Sequence, residues 1–213
     1  MTSRMQKHEW RKKEKNIYFP KPIPELINIP EFKFITIKGK GNPNNKLFSD
    51  CVGVLYAMSY AIKMNLKKME PQPKGYCDYT VYPLEGIWDI NDEAKKEFKG
   101  TINKDELVFQ LMIRQPNFVE EELYFEILEL TKKRKPNPLL GNVGFERIEE
   151  GKCVQMLHLG SYDNESESFK IMEEFMEREN LNRLSMEHRE IYLTDFRKVP
   201  SAKLKTVLRC KVG

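Results

Sequence analysis

No part of the chain reaches the roughly 18 consecutive apolar residues that a membrane-spanning helix needs. The opening residues, MTSRMQKHEWRKKEKN, lack the apolar core of a secretory signal. A soluble, cytoplasmic protein without a membrane partner is the expectation. Cysteine is scarce: Cys51, Cys77, Cys153 and Cys210 form no C-x-x-C pair and no Cys/His cluster at zinc-ligand spacing. That excludes a zinc ribbon or a thioredoxin-type redox motif and leaves buried free thiols as the expectation. Histidine is scarcer still, and His8, His158 and His188 are too scattered to suggest a metal site. Neither a metal nor a cofactor is expected.

What is present is an ordinary globular balance, 40% hydrophobic and 32% charged over 213 residues, enough to bury a sizeable core. The net charge of +4 gathers at the start, where Arg4, Lys7, Arg11, Lys12, Lys13 and Lys15 face Glu9 and Glu14. A basic arm can bind nucleic acid, but no aromatic interleaving, helix-turn-helix spacing or RNA-binding signature accompanies this one. The leader reads as solvated and partly helical, and nucleic acid is not expected as a partner.

After a lead-in marked by Pro20, Pro22, Pro24 and Pro30, EFKFITIKGKG alternates apolar and polar residues as a strand does and ends in glycines. From about Ser49 to Met69, Val52, Leu55, Tyr56, Ser59, Ile62 and Leu66 fall at helical spacing behind Ser49 as an N-cap. Two strand-like segments follow, YCDYTVYPLEGIWDI and DELVFQLMIRQP, joined by the charged NDEAKKEFKGTINK. A helix over about 119–134, with Leu123, Ile127 and Leu130 on one face, links to a second half that repeats the order. There the strand of GFERIEEGKCVQMLHLGSY ends at Gly160, SFKIMEEFMERENL carries Phe169, Met172, Phe175 and Met176 in one stripe, and HREIYLTD and LKTVLRCKV read as strands.

The expected fold is therefore α+β: tandem strand–helix–strand–strand modules at about 31–118 and 143–213, related by pseudo-two-fold symmetry, behind a leader and Pro-rich segment over residues 1–30. One helix from each module would cover one side of the sheet, leaving the other faces to form a ligand cleft across the axis. In HREIYLTD, alternation sends Ile191 and Leu193 to one face and His188, Glu190, Tyr192 and Thr194 to the other. The corresponding strand of the first half carries Glu85 with Tyr82 and Trp88 close by. Two acids and several aromatics, one set per module, would meet in one cleft.

The segments KGKGNPN, YPLEGIWDI, FQLMIRQPNFV, GKCVQMLHLGSYDNE and HREIYLTDFRKVPSAKLKTVLR, in this order and spacing from about residue 30 to the C-terminus, resemble the stand-alone branch of the GyrI-like small-molecule-binding proteins. The resemblance implies the tandem modules with a cleft between them. In multidrug-sensing relatives the same domain follows a DNA-binding domain and holds bulky aromatics against a glutamate. Some stand-alone relatives are implied to hydrolyse cyclopropane-bearing genotoxic natural products. The positions matching the pattern are Glu85, Trp88, Glu190 and Tyr192; TDFRK stands where many relatives carry Pro-Arg after the aspartate.

Ring strain supplies the driving force for such a reaction, so the protein must position the reactants and move a proton. Glu190 and Glu85 are the expected catalytic acids: one takes a proton from water as it attacks the ring carbon, the other orients that water or holds a proton. Trp88 would stack on a flat aromatic ligand. Tyr192, Tyr162 and His158 are equal candidates to donate to the oxygen on which charge develops, and Met112 would line an adaptable pocket. His158 also reads as a satisfied interior histidine. Two alternatives stand beside the hydrolase: a binder that sequesters aromatic or cationic toxins without turnover, and a protein that interacts with DNA gyrase through its surface.

Overall fold

The computed structural model describes residues 7–97, 103–195 and 197–213. Arg4 of the basic leader, the middle of the NDEAKKEFKGTINK connection and Phe196 of TDFRK lie outside the described residues. Among those described, eight strands form one antiparallel sheet: β1 Glu25–Ile29, β2 Phe32–Lys40, β3 Leu84–Ile90, β4 Leu107–Gln115, β5 Val143–Ile148, β6 Gly151–Leu159, β7 His188–Tyr192 and β8 Lys205–Lys211. Their order across the sheet is β1-β6-β8-β7-β3-β4-β2-β5. The helices are α1 Trp10–Lys13, α2 Lys15–Tyr18, α3 Lys46–Lys68, α4 Asp92–Glu97, α5 Glu121–Arg134 and α6 Glu165–Arg178.

The order displays the repeat. β2-α3-β3-β4 and β6-α6-β7-β8 are the two modules, and they meet at the sheet's centre where β3 and β7 pair antiparallel. Each module's leading strand is exchanged: β1, which precedes β2 in the chain, pairs with β6, and β5, which precedes β6, pairs with β2. The mixed α+β architecture of tandem modules is thus the one the sequence pattern implies.

Both long helices pack on one face. α3 buries Cys51, Leu55, Met58, Ile62 and Leu66 against Ile35 and Ile37 of β2 and Leu111 and Ile113 of β4. α6 buries Met172 and Met176 against Val154 and Met156 of β6 and Leu208 and Cys210 of β8. Each such side chain contributes roughly 1.5–3 kcal/mol by leaving water. α3 starts three residues before Ser49, which lies inside the first turn and donates to the Lys46 carbonyl instead of capping. Cys51, Cys153 and Cys210 are buried free thiols and Cys77 is half-buried. Among the described residues no helix is long and apolar enough to cross a membrane.

The opposite face is not the open cleft that the pattern suggests. Residues 7–24 run across it: Trp10 and Tyr18 are buried, Asn16 and Ile17 offer carbonyls to Gln155 of β6 and Arg209 of β8, and Glu14 pairs with Arg114 of β4. Residue 30 is therefore no boundary of the fold. The leader is half solvated, with Arg11, Lys12 and Lys13 exposed, and half plug, because its aromatics carry enough apolar surface to dock.

Candidate functional site

With α3 over β2 and β4 and α6 over β6 and β8, β3 and β7 run in the gap between the two helices on this face, where Trp88 and Glu190 are buried and Tyr192 is half-buried. Strand alternation decides what lines that gap. Register sets Gly86 opposite Glu190 and Trp88 opposite His188, so Trp88, His188, Glu190 and Tyr192 share this face.

Trp88 Nε1 donates to Tyr192 Oη at 2.7 Å, over Gly86. A Cβ at Gly86 would stand 2.9 Å from that indole nitrogen, so the close approach needs glycine. Phe48 of α3 stacks on Trp88 at 5.7 Å between centroids, and Phe109 tilts against it at 5.5 Å. The Tyr192 phenol shares this face with Glu190, and burial and the Glu190 charge push it up. His188 Nε2 donates to Glu190 Oε1 at 3.1 Å, its ring held edge-on by Phe169 of α6.

Glu190 meets a second acid, and that acid is Glu165, the first residue of α6, which is buried beside it. Burial and the Glu190 charge push the Glu165 carboxyl well above the usual carboxylate range. Tyr162, in the turn before α6, sets its ring edge-on to Tyr192 at 5.9 Å, and burial and Glu190 raise its phenol as well. A Lys104–Asp163 ion pair of 2.9 Å ties this turn to the β3–β4 connection of the other module.

Glu85 does not meet Glu190. It stands one residue from Gly86 and so points to the opposite face, where Arg189 Nη1 holds its Oε2 at 2.8 Å. Arg189 reaches Glu150 at 3.0 Å, and Glu150 reaches Arg209 at 2.7 Å, beneath the N-terminal plug. The Glu85 side chain is 2% exposed against 11% for Glu190, so one is sealed and the other can touch a solute. Met112, opposite Glu85 in β4, shares the sealed face and lines no part of the gap.

His158 is interior. Its Nε2 donates to the Ser161 carbonyl at 2.9 Å, so its Nδ1 accepts from the Ser168 hydroxyl at 2.9 Å. It pins the turn that carries Tyr162 and Glu165. Glu165 escapes the sequence pattern because helical periodicity there becomes clear only from Ser168, and an acid in a helix's first turn normally faces water. His188 and Gly86 were legible as neighbours of named residues, and only register gives them a role.

A separate recess of about 640 Å³ lies between α3 and α5, lined by Val54, Met64, Leu130 and Leu140, and includes none of these residues. Among the described residues no group of three or more His, Cys, Asp or Glu is arranged to hold a metal ion.

Comparison with known structures places this arrangement in context. A hydrolase from Listeria innocua is similar at 37% identity with a TM-score of 0.86, over 97% of this chain and all of that one. An uncharacterized conserved protein from Listeria innocua is similar at 38% identity, again with a TM-score of 0.86 and over 97% of this chain and all of the other. The EcmrR C-terminal domain, at 16% identity and a TM-score of 0.50 over 89% of this chain and 96% of that domain, shares the fold. No match was found among curated proteins. The profile of the GyrI-like small-molecule-binding domain matches residues 23–212, and the chain belongs to that family.

Proposed function

We propose that this GyrI-like domain hydrolyses strained cyclopropane rings of genotoxic aromatic compounds, with Glu190 as the base. The observation that carries the reading is a carboxylate at the floor of the gap between the helices, flanked by Trp88, Tyr162 and Tyr192 and partly open to solute. The similarity to Listeria innocua hydrolases supports it.

A carboxylate offers about four lone-pair sites, and His188 Nε2 occupies one, which leaves room to hold a water. As that water's oxygen attacks the ring methylene, Glu190 takes its proton. The ring C–C bond breaks, and its electron pair passes through the conjugated dienone to the carbonyl oxygen. That oxygen becomes a phenolate and must be protonated. The Tyr192 hydroxyl is engaged by Trp88 Nε1, whereas the Tyr162 phenol, raised by burial and Glu190, stays protonated and is free to hydrogen-bond that oxygen. Tyr162 is therefore the hydrogen-bond donor that stabilises the phenolate, and the proton that Glu190 took from water, or one from solvent, reaches that oxygen as the cycle closes. Acid–base help of this kind supplies about 10²- to 10⁴-fold, enough for a strained reactant.

Turnover of a cyclopropane-bearing DNA alkylator by wild type and by Glu190→Gln, followed by chromatography with mass detection, tests the proposal. The expected result is a water adduct formed over many cycles by wild type and binding without conversion by the variant. Release of one equivalent unchanged by wild type would overturn it in favour of a sequestering protein.

A further inference from the structure

Glu165 and Glu190 come from different elements, the start of α6 and the middle of β7, and their carboxyls are placed against each other. Glu165 Oε1 is buried and receives no hydrogen bond from any N–H or O–H group among the described residues. A charged Glu165 would leave an unpaired oxygen beside a like charge, which the interior does not tolerate. A neutral Glu165 that donates to Glu190 satisfies both oxygens at once.

The groups facing Glu165 favour the same state. From its own turn come Tyr162 and Asp163; from β7 come Glu190, Tyr192 and His188; beyond β7 lies Asp195. Three of these are acids and two are phenols. His188 is engaged with Glu190, and among the described residues no lysine or arginine pairs with Glu165. The α6 N-terminal dipole favours the charged form, but burial and the neighbouring acids act against it.

We infer that Glu165 is a neutral carboxylic acid whose proton is held on Glu190, and that it acts as a positioning residue, keeping the Glu190 carboxyl oriented. The protonation state stands on a buried, unpartnered Glu165 Oε1 and on the neighbouring acid Glu190; the positioning role rests on the hydrolase reading above. Both rest on one consequence: when pH rises far enough to remove the shared proton, two carboxylates repel and Glu190 loses its orientation.

Three variants separate the possibilities. Glu165→Gln keeps a donor toward Glu190 and cannot ionise, Glu165→Ala removes the donor, and Glu190→Gln removes the base. Infrared difference spectra of wild type minus Glu165→Gln at neutral pH are expected to show a carboxylic-acid carbonyl band that shifts in heavy water. Its absence would overturn the neutral acid whatever the protein's activity. In turnover, Glu165→Gln is expected to stay within about tenfold of wild type at neutral pH and to lose the alkaline decline, while Glu165→Ala falls by a further order of magnitude. A Glu165→Gln variant as inactive as Glu190→Gln, or one that keeps the wild-type alkaline decline, would overturn the positioning role. Should wild type bind the alkylator without converting it, the hydrolase reading fails alone. The same pH profiles are then read as dissociation constants, with the same two outcomes.

Discussion

The two faces of the central strands spend their acids in opposite ways. On the face under the N-terminal plug, Glu85 and Glu150 alternate with Arg189 and Arg209, so every buried negative charge has a buried positive partner. On the helix-bearing face, one residue along the same strand, Glu190 is set against another acid, two tyrosines and a histidine. Matched charge is how a fold tolerates buried ions; a carboxylate surrounded by proton donors is how a site keeps a base. The difference sets acids paired with arginine on one face against an acid that, among the described residues, has no lysine or arginine partner on the other.

The sharpest break between the faces is Glu190→Gln against Glu85→Gln. Replacing Glu190 is expected to lower turnover by about 10²- to 10⁴-fold with little change in melting temperature. Replacing Glu85 removes a partner from Arg189 and is expected to lower stability while leaving turnover per folded molecule within a few-fold. Steady-state kinetics beside thermal unfolding reads both. Equal loss of turnover in the two variants would mean that the faces are not chemically distinct.

The arm face should answer most strongly at Glu150, which bridges two guanidinium groups. Leaving Arg189 and Arg209 short of a counter-ion is expected to cost about 3–5 kcal/mol, a fall in melting temperature on the order of 10 °C for a chain of this size. Glu150→Gln measured by thermal and urea unfolding tests this. A change under about 1 kcal/mol would show the network to be solvated rather than sealed.

Alternation is also where sequence reading succeeded and failed. The repeat, the strand order within each module and the pairing of Glu190 with Tyr192 follow from period-two and period-3.6 patterns that a single chain displays. The same rule puts Glu85 and Trp88, three positions apart in one strand, on opposite faces. Grouping them by proximity in sequence rather than by parity is what placed Glu85 beside Glu190. The plug over residues 7–24 was hidden because charge marks that segment as solvated, while its docking depends on two aromatics, Trp10 and Tyr18, that composition does not weigh. Glu165 was hidden for a different reason: its burial comes from tertiary packing of the α6 N-terminus onto β7, and no local pattern encodes it.

Acid should part the two faces as well. Burial raises Glu150 and Glu14, but their arginine partners more than offset it and hold both below the ordinary glutamate value of 4.5. A depressed folded value means stability that is present above the unfolded value and lost as pH falls through the folded one. Glu85 works in the opposite sense: burial raises it despite Arg189, so its share is present in acid and lost as pH rises. Acidification below about 4.5 therefore takes the counter-ions from Arg114 and Arg209 and is expected to loosen the arm. The chain's two tryptophans fall one to each face, Trp10 in the arm and Trp88 in the gap. Single-tryptophan variants read by fluorescence should show Trp10 moving at higher pH than Trp88. Coincident transitions would mean that arm and sheet unfold as one unit.

The smallest change expected to matter is a single methyl group. At Gly86 an added Cβ would meet Trp88 Nε1 at 2.9 Å, Leu111 Cδ2 at 3.3 Å and Tyr192 Oη at 3.4 Å, so the indole must move and its hydrogen bond to Tyr192 with it. Tyr192, on the same face as Glu190, then loses the donor that fixes its hydroxyl. At Gly144 an added Cβ meets Thr36 Oγ1 at 3.2 Å, on the other face of the sheet, with no link to the acid pair. Both alanines are expected to cost about 1–3 kcal/mol of stability by overpacking. Gly86→Ala alone should also weaken ligand affinity, by roughly tenfold through the displaced aromatic platform. If Gly144→Ala weakens affinity as much, the effect travels through the sheet as a whole, and the hydrogen bond from Trp88 to Tyr192 is not what holds the site in shape.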